Sequence, residues 1–262
     1  MTTIDISWYG MAIIYSLLLI PVLLFRFFGL PLNRGLLSGA LRMTVQLTLV
    51  GLYLGYIFRL NNLLVNCAWL FVMITVATTH TIRSAHLSIR HFFAGSFIAT
   101  FSGTAILLGI FVVVVIRPDP VFDARYLIPI GGMLLGNCLR SNILTLERFF
   151  SSLQKNRKEY QTSLSLGATT FEAALPFARD AFKAAITPTV STMATMGLVS
   201  LPGMMTGQLL GGAVPQVAIK YQIAIMICIL TASAITATLN IFLGIRFGFD
   251  AYGNVREEVY RK

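Results

Sequence analysis

The sequence predicts an all-α fold: a polytopic transmembrane helical bundle of about seven spans, with six possible. Its N-terminus is expected outside and its C-terminus in the cytoplasm. Three observations carry this. The chain is 56% hydrophobic and only 11% charged, where a soluble domain of this length carries about 25% charged residues. The apolar residues fall in runs near the roughly 20 residues that cross ~30 Å of hydrocarbon, and such runs must be helical because each span satisfies its own backbone groups in lipid. The basic residues cluster on alternate connections.

The first run, 8–28, follows "MTTIDIS", which lacks the positive region of a signal peptide and precedes no small-residue cleavage site, so it is expected to stay as a helix. The second, 36–58, holds Arg42, with Gln46 one turn on and Tyr53 and Tyr56 continuing that face. A charge inside a span marks a pathway or a partner by default, the alternative being snorkelling to nearby headgroups. The third and fourth runs cover 62–79 and 93–116. The fifth, 126–146, is the weakest: "LIPIGGMLLGNCL" gives an apolar core of 13 residues before Arg140, which spans only by tilting or by snorkelling of the arginine. Asn137 near its inner end is expected to bond across helices.

The sixth run, 188–213, contains "MATMGLVSLPGMMTGQLLGG". Leu201-Pro202-Gly203 should kink or break it. Gly203, Gly207 and Gly211 form GxxxGxxxG, which admits another backbone closely, within a chain or between chains. Met193, Met196 and Met204 project near one face with Ser200 between them; thioethers are poor partners for a hard cation, so a flexible lining is expected. The seventh run covers 219–245.

Segments 26–35, 80–92, 140–187 and the tail from 246 hold 15 of the 20 Lys and Arg, against Arg59, Arg117, Arg125 and Lys220 on the other connections. That bias orients the chain. It also accounts for the net charge of +10 without nucleic acid, since the basic residues sit at the ends of apolar runs and not on one soluble face. Cys67, Cys138 and Cys228 lie in apolar segments without C-x-x-C spacing and read as buried thiols. His80, His86 and His91 bracket a loop at spacings that do not share a helix face, and read as interfacial. No repeat or linker divides the chain, so 1–262 is expected to be a single transmembrane domain.

The longest loop, about 140–187, holds "SLSLGATTFEAALPFARDAFKAAITP". Gly167 reads as the stop of one short helix, and Thr169-x-x-Glu172 as the capping box of the next. Phe171, Leu175, Ala178 and Phe182 follow at helical spacing as the apolar face of a helix on the membrane surface, with a kink expected at Pro176.

These residues carry a resemblance. "LSLGAT", "LPFARDAFKAAITP", "GLVSLPGMMTGQLLGG" and "AIKYQI", with "RMTVQLTLVG" (42–51) and "IPIGGMLLGN" (128–137), are similar to the Fet-type (FetB-like) permease family. Its members are membrane subunits of ABC transporters associated with iron export in bacteria, with plant relatives linked to aluminium tolerance. The resemblance runs through most of the chain and is strongest over about 160–225. It implies an inner-membrane permease, two copies working with two ABC ATPase subunits, and a coupling loop that docks on the ATPase. Leu164, Ser165, Leu166, Gly167, Ala168 and Thr169 would make that contact, with Glu159 to Ser165 as the leading helix. Arg42, Gln46, Asn137, Ser200, Pro202 and Gly203 are the candidates for the transport pathway; no metal ligand set is identifiable.

No G-x-x-x-x-G-K-[ST] phosphate loop occurs, so ATP and Mg are expected on the partner chain and no cofactor on this one. An enzyme is disfavoured: H-E-x-x-H, G-x-S-x-G and a membrane carboxylate pair are all missing. The alternatives are a permease for a non-metal substrate such as a sugar nucleotide, or a channel or secondary carrier that needs no ATPase.

Overall fold

The structure, a computed structural model, describes residues 5–250, 252–256 and 259. Its elements are α1 (Trp8–Ser16), α2 (Leu19–Phe27), α3 (Asn33–Leu60), α4 (Leu63–Ser84), α5 (Ile89–Gly109) continued by a π-helical stretch (Ile110–Ile116), α6 (Ala124–Lys155), α7 (Arg157–Ser165), α8 (Thr170–Thr195), α9 (Gly203–Leu210) and α10 (Pro215–Gly248). The protein is a polytopic helical bundle. Among the described residues, six helical stretches are long and apolar enough to cross a membrane: 8–27, 33–60, 63–84, 89–116, 124–155 and 215–248.

The weak crossing is not the one the apolar run lengths indicate. The fifth segment is part of one 32-residue helix, about 48 Å at 1.5 Å per residue, which continues through Pro129 and well past Arg140. Tertiary packing overrides its short apolar core: Leu127, Ile130, Leu134, Cys138, Leu146, Phe149 and Phe150 are all buried. The sixth segment is the broken one. α8 ends at Thr195, residues 196–202 leave the helix with Gly197 at φ +88°, and Pro202 precedes α9. Pro202 offers no N–H to the preceding turn, and Gly197 takes a left-handed conformation that a residue with a Cβ disfavours.

Helix directions show that this broken segment still traverses the bundle. Along α6 and α10, Tyr126 lies against Tyr221, Cys138 against Ser233 and Thr236, and Phe150 beside Gly248. The two helices therefore run parallel, and the chain must return between them. α8 and α9 make that return: Phe171 stacks on Phe242 near one end of α10, and Met196 receives a contact from Gln222 near the other.

Among the described residues, two large apolar clusters fill the bundle, and a third, smaller one joins α3 to α4 and α6. Phe92, Phe149, Phe150, Phe177 and Tyr160 pack at the end bearing α7, the elbow end. Leu107, Phe111, Leu134, Ile225 and Ile229 pack toward the far end. Between them lies a polar level where Asn142 Nδ2 reaches Thr100 Oγ1 at 3.4 Å and α5 meets α10. A Cβ on Gly103 would collide with the Thr236 methyl, so this crossing needs glycine. α3 touches the bundle chiefly through its last turns, where Tyr53 and Trp69 rings meet at 4.7 Å and Ile57 is buried. Asn61, in the left-handed turn after α3, accepts from the Ala124 N–H at 2.9 Å and fixes that corner to α6.

Candidate functional site: the elbow and the broken crossing

The polar stretch of the long loop forms a sharp elbow between α7 and α8. Gly167, at φ +96°, donates to the Leu164 carbonyl at 3.0 Å, and Ala168 donates to the Ser163 carbonyl at 3.1 Å. These two bonds make a Schellman ending, which satisfies carbonyls the helix end would otherwise leave orphaned. Thr169 then caps α8 in a full capping box: Glu172 N–H donates to Thr169 Oγ1 at 3.3 Å, and the Glu172 carboxylate accepts from Thr169 N–H at 2.8 Å. That backbone bond, with the Thr169 hydroxyl, holds the exposed Glu172 carboxyl below its usual range. A negative charge there also suits the positive end of the helix.

The elbow residues divide by direction. Leu164 and Ala168 pack against the apolar cluster beneath. Leu166 is 83% exposed, and Ser165, Gly167 and Thr169 are exposed beside it. A leucine standing in the open at a tight, doubly hydrogen-bonded turn is a projecting knob on a rigid mount.

The elbow is strapped from below. Tyr160 is buried, and its hydroxyl donates to the Gly253 carbonyl at 2.6 Å. Burial, with the charge of Asp250 adding to it, pushes the Tyr160 hydroxyl up to about 12. The strap itself folds back on α10 through Arg256 N–H to the Gly248 carbonyl at 3.0 Å, and Ser88 N–H donates to the Val259 carbonyl at 2.9 Å. One short segment thus joins α7, α10 and the α4–α5 turn.

α8 leads straight from the elbow into the break. It continues through Pro176 and Pro188 without interruption, so the chain does not divide at Pro188 into a surface helix and a span. Its deep face is also not the expected aromatic stripe: Ala173, Ala174, Phe177, Ala178, Ala181 and Ala185 are buried, while Phe171, Leu175 and Phe182 line a shallow groove against Thr238, Ile241 and Phe242. Small residues here let α8 lie close to α6, as small-residue interfaces do in lipid.

The pathway candidates are scattered. Arg42 and Gln46 are exposed on α3. Ser200 is exposed in the break, where its carbonyl accepts from Gly197 N–H at 3.0 Å, and Pro202 and Gly203 begin α9. Leu198 and Val199 project from the break, 93% and 80% exposed. Gly203 and Gly207 have nothing within 4 Å of where a Cβ would stand, and Gly211 meets only carbonyls of its own turn. Asn137 does not bond across helices: its Nδ2 donates to the Met133 carbonyl at 2.8 Å, one turn back on α6. Cys67, expected buried, is exposed on α4. No group of three His, Cys, Asp or Glu that could hold a metal occurs among the described residues.

Asn137 does line a cavity of about 170 Å³ between α6 and α8, with Arg140, Ser141, Thr189 and Thr192. Ser141 and Thr192 escaped the sequence reading; the signal was the i, i+4 relation of Asn137 to Ser141 beside Arg140. A larger cavity of about 360 Å³ among α4, α5 and α6 is walled by Leu70, Phe71, Phe101 and Leu108. Its chemistry is that of a surface facing lipid.

Comparison with known proteins agrees with this architecture. The chain is 37% identical over 242 residues to a membrane protein of Synechocystis sp., covering 91% of this chain and 93% of the relative. It is 31% identical over 247 residues to the probable iron export permease protein FetB of Escherichia coli, covering 94% and 93%. With the protein ALUMINUM SENSITIVE 3 of Arabidopsis thaliana it shares 30% over 226 residues, covering 86% and 81%. No solved structure matches. A family model described as uncharacterised protein family UPF0014 matches residues 8–249, and the chain is a member of that family of multi-pass membrane proteins.

Proposed function

We propose that this protein is the membrane-spanning permease subunit of an ABC transporter, exporting iron or a related metal across the inner membrane with energy from a separate ATPase subunit. One observation carries the reading: the elbow and the broken crossing are two ends of the same helix. α8 begins at the capping box below the exposed Leu166 and ends at Thr195, where the break starts. A partner gripping the elbow would move α8 as a rod and rearrange the break, the kind of switch between two packings that alternating access requires.

The elbow then lies in the cytoplasm and the far end outside, in line with the basic bias of the connections. The N-terminus is outside and the C-terminus inside. ATP and Mg belong to the partner chain. Two permease chains would meet through the open Gly203, Gly207 and Gly211 face and the projecting Leu198 and Val199. The iron cargo follows the FetB relative's name.

The test is reconstitution with a candidate ABC ATPase from the same cell. Iron efflux from loaded vesicles should require both chains and ATP, and deletion in cells should raise iron content and peroxide sensitivity. Efflux without any ATPase would replace this reading with a carrier.

A further inference from the structure

The cavity between α6 and α8 has a chemistry that the pathway residues do not explain. Arg140 is the only charged side chain among those lining it, and it makes no ion pair among the described residues. Its side chain is exposed, and it sits about 24 Å along α6 from Ala124 at 1.5 Å per residue, toward the inner end of the crossing. Ser141 beside it is 5% exposed, and its Oγ has no hydrogen-bond partner among the described residues. A buried hydroxyl left unpaired in a native fold calls for an explanation. Its neighbours in the cavity spend donors elsewhere: Asn137 Nδ2 donates to the Met133 carbonyl at 2.8 Å, and Thr192 Oγ1 donates to the Pro188 carbonyl at 2.9 Å. A guanidinium fork, one free hydroxyl and the second N–H of Asn137 make a set of donors without a carboxylate to balance them.

Such a set repels a bare multivalent cation. It suits oxygens that carry negative charge, which arginine holds with two parallel N–H bonds. We propose that this cavity is an oxyanion site, in which Arg140 and Ser141 bind the carboxylate or phosphate oxygens of a small anion. Resting on the transport reading, the consequence for cargo is that iron passes as an anionic chelate and not as the naked ion. Four lining residues, Ala185, Pro188, Thr189 and Thr192, belong to α8, so movement of the elbow opens or closes one wall of the site.

The experiment uses the intact chain in nanodiscs without any ATPase. Citrate, ferric citrate and inorganic phosphate are titrated calorimetrically in discs of neutral lipid, and lipids retained by the purified protein are identified by native mass spectrometry. Saturable binding of at least one soluble anion is expected, weakened tenfold or more in Arg140→Gln, several-fold in Ser141→Ala, and partly restored in Arg140→Lys. Unfolding temperatures matching the unsubstituted chain exclude a folding defect, as expected for an exposed arginine. If no soluble anion binds but an anionic lipid is enriched, and Arg140→Gln abolishes the enrichment, the oxyanion is a headgroup: the site stands and the chelate consequence falls. No binding and no enrichment overturns the site, as does either one persisting unchanged in Arg140→Gln. Anion binding without iron efflux in the reconstituted complex would keep the site and remove the transport reading. Iron efflux with a silent cavity would do the reverse.

Discussion

Two neighbouring crossings of this bundle are built on opposite plans. α6 runs unbroken for 32 residues, is capped by Asp123, and buries side chains along its whole length. The α8–α9 crossing is held firmly only in its first half; α9 buries no residue, and the break presents Leu198 and Val199 to the outside. The first is a post and the second a lever with a joint. Local stability is uneven in most proteins, and elements that move are drawn from the weakly packed end. Here the weakly packed part is joined to the elbow through α8, so a force on the firm end would be carried to the mobile one.

The comparison collapses if α6 does not cross. Single cysteines at Ser152 and Asp119, in a chain lacking Cys67, Cys138 and Cys228, should therefore label from opposite sides of the membrane, an all-or-none result. Labelling of both from one side would refute it. The next largest effect tests packing. Gly103→Leu drives a side chain into Thr236 on α10 and should cost about 1–3 kcal/mol or more, the usual range for overpacking, read as a lower unfolding temperature in detergent. Gly207→Leu in the lever, with open space around it, should leave that temperature unchanged and lower the fraction of dimer in crosslinking. Equal losses in the two variants would erase the distinction.

Gly167→Leu addresses the elbow. Its left-handed conformation costs a residue with a Cβ roughly 1 kcal/mol, too little to unfold the bundle, and the added side chain stands beside Leu166 on the knob. ATP hydrolysis stimulated by substrate in the reconstituted complex should be largely lost while expression holds. Full stimulation would take the coupling role away from this turn. The smallest effect belongs to the methionines. Replacing Met193, Met196 and Met204 together by Leu keeps volume nearly constant and should preserve most transport, although Met196 loses its 4.0 Å contact with Gln222. Loss of iron efflux with folding and ATPase stimulation intact would make the thioethers ligands.

What could be read from the sequence was local. The glycine stop and capping box of the elbow need only a few adjacent residues, and both formed as read, with every bond in place. The break at Pro202 was legible for the same reason. Apolar length misjudged which crossing was weak, because α6 gains its stability from neighbours that a run of 13 residues cannot reveal. Asn137 was expected to reach across helices, but a carbonyl one turn back on its own helix is a nearer acceptor. The alanine face of α8 hid behind a more conspicuous aromatic pattern, since close helix contact favours small side chains over large ones. The strap on Tyr160 left no periodic trace, joining residues 93 positions apart.

That strap bears on biosynthesis. The elbow emerges from the ribosome well before Gly253, and α8, α9 and α10 must all be made in between. Until then Tyr160 has no acceptor, and the turn carrying Leu166 rests on a helix of nine residues, too short to be stable alone. A nascent or truncated chain would hold only a loose elbow, whereas the strapped chain holds a firm one. On the proposed coupling role, docking would be biased toward finished molecules, a bias set by the order in which the chain is made.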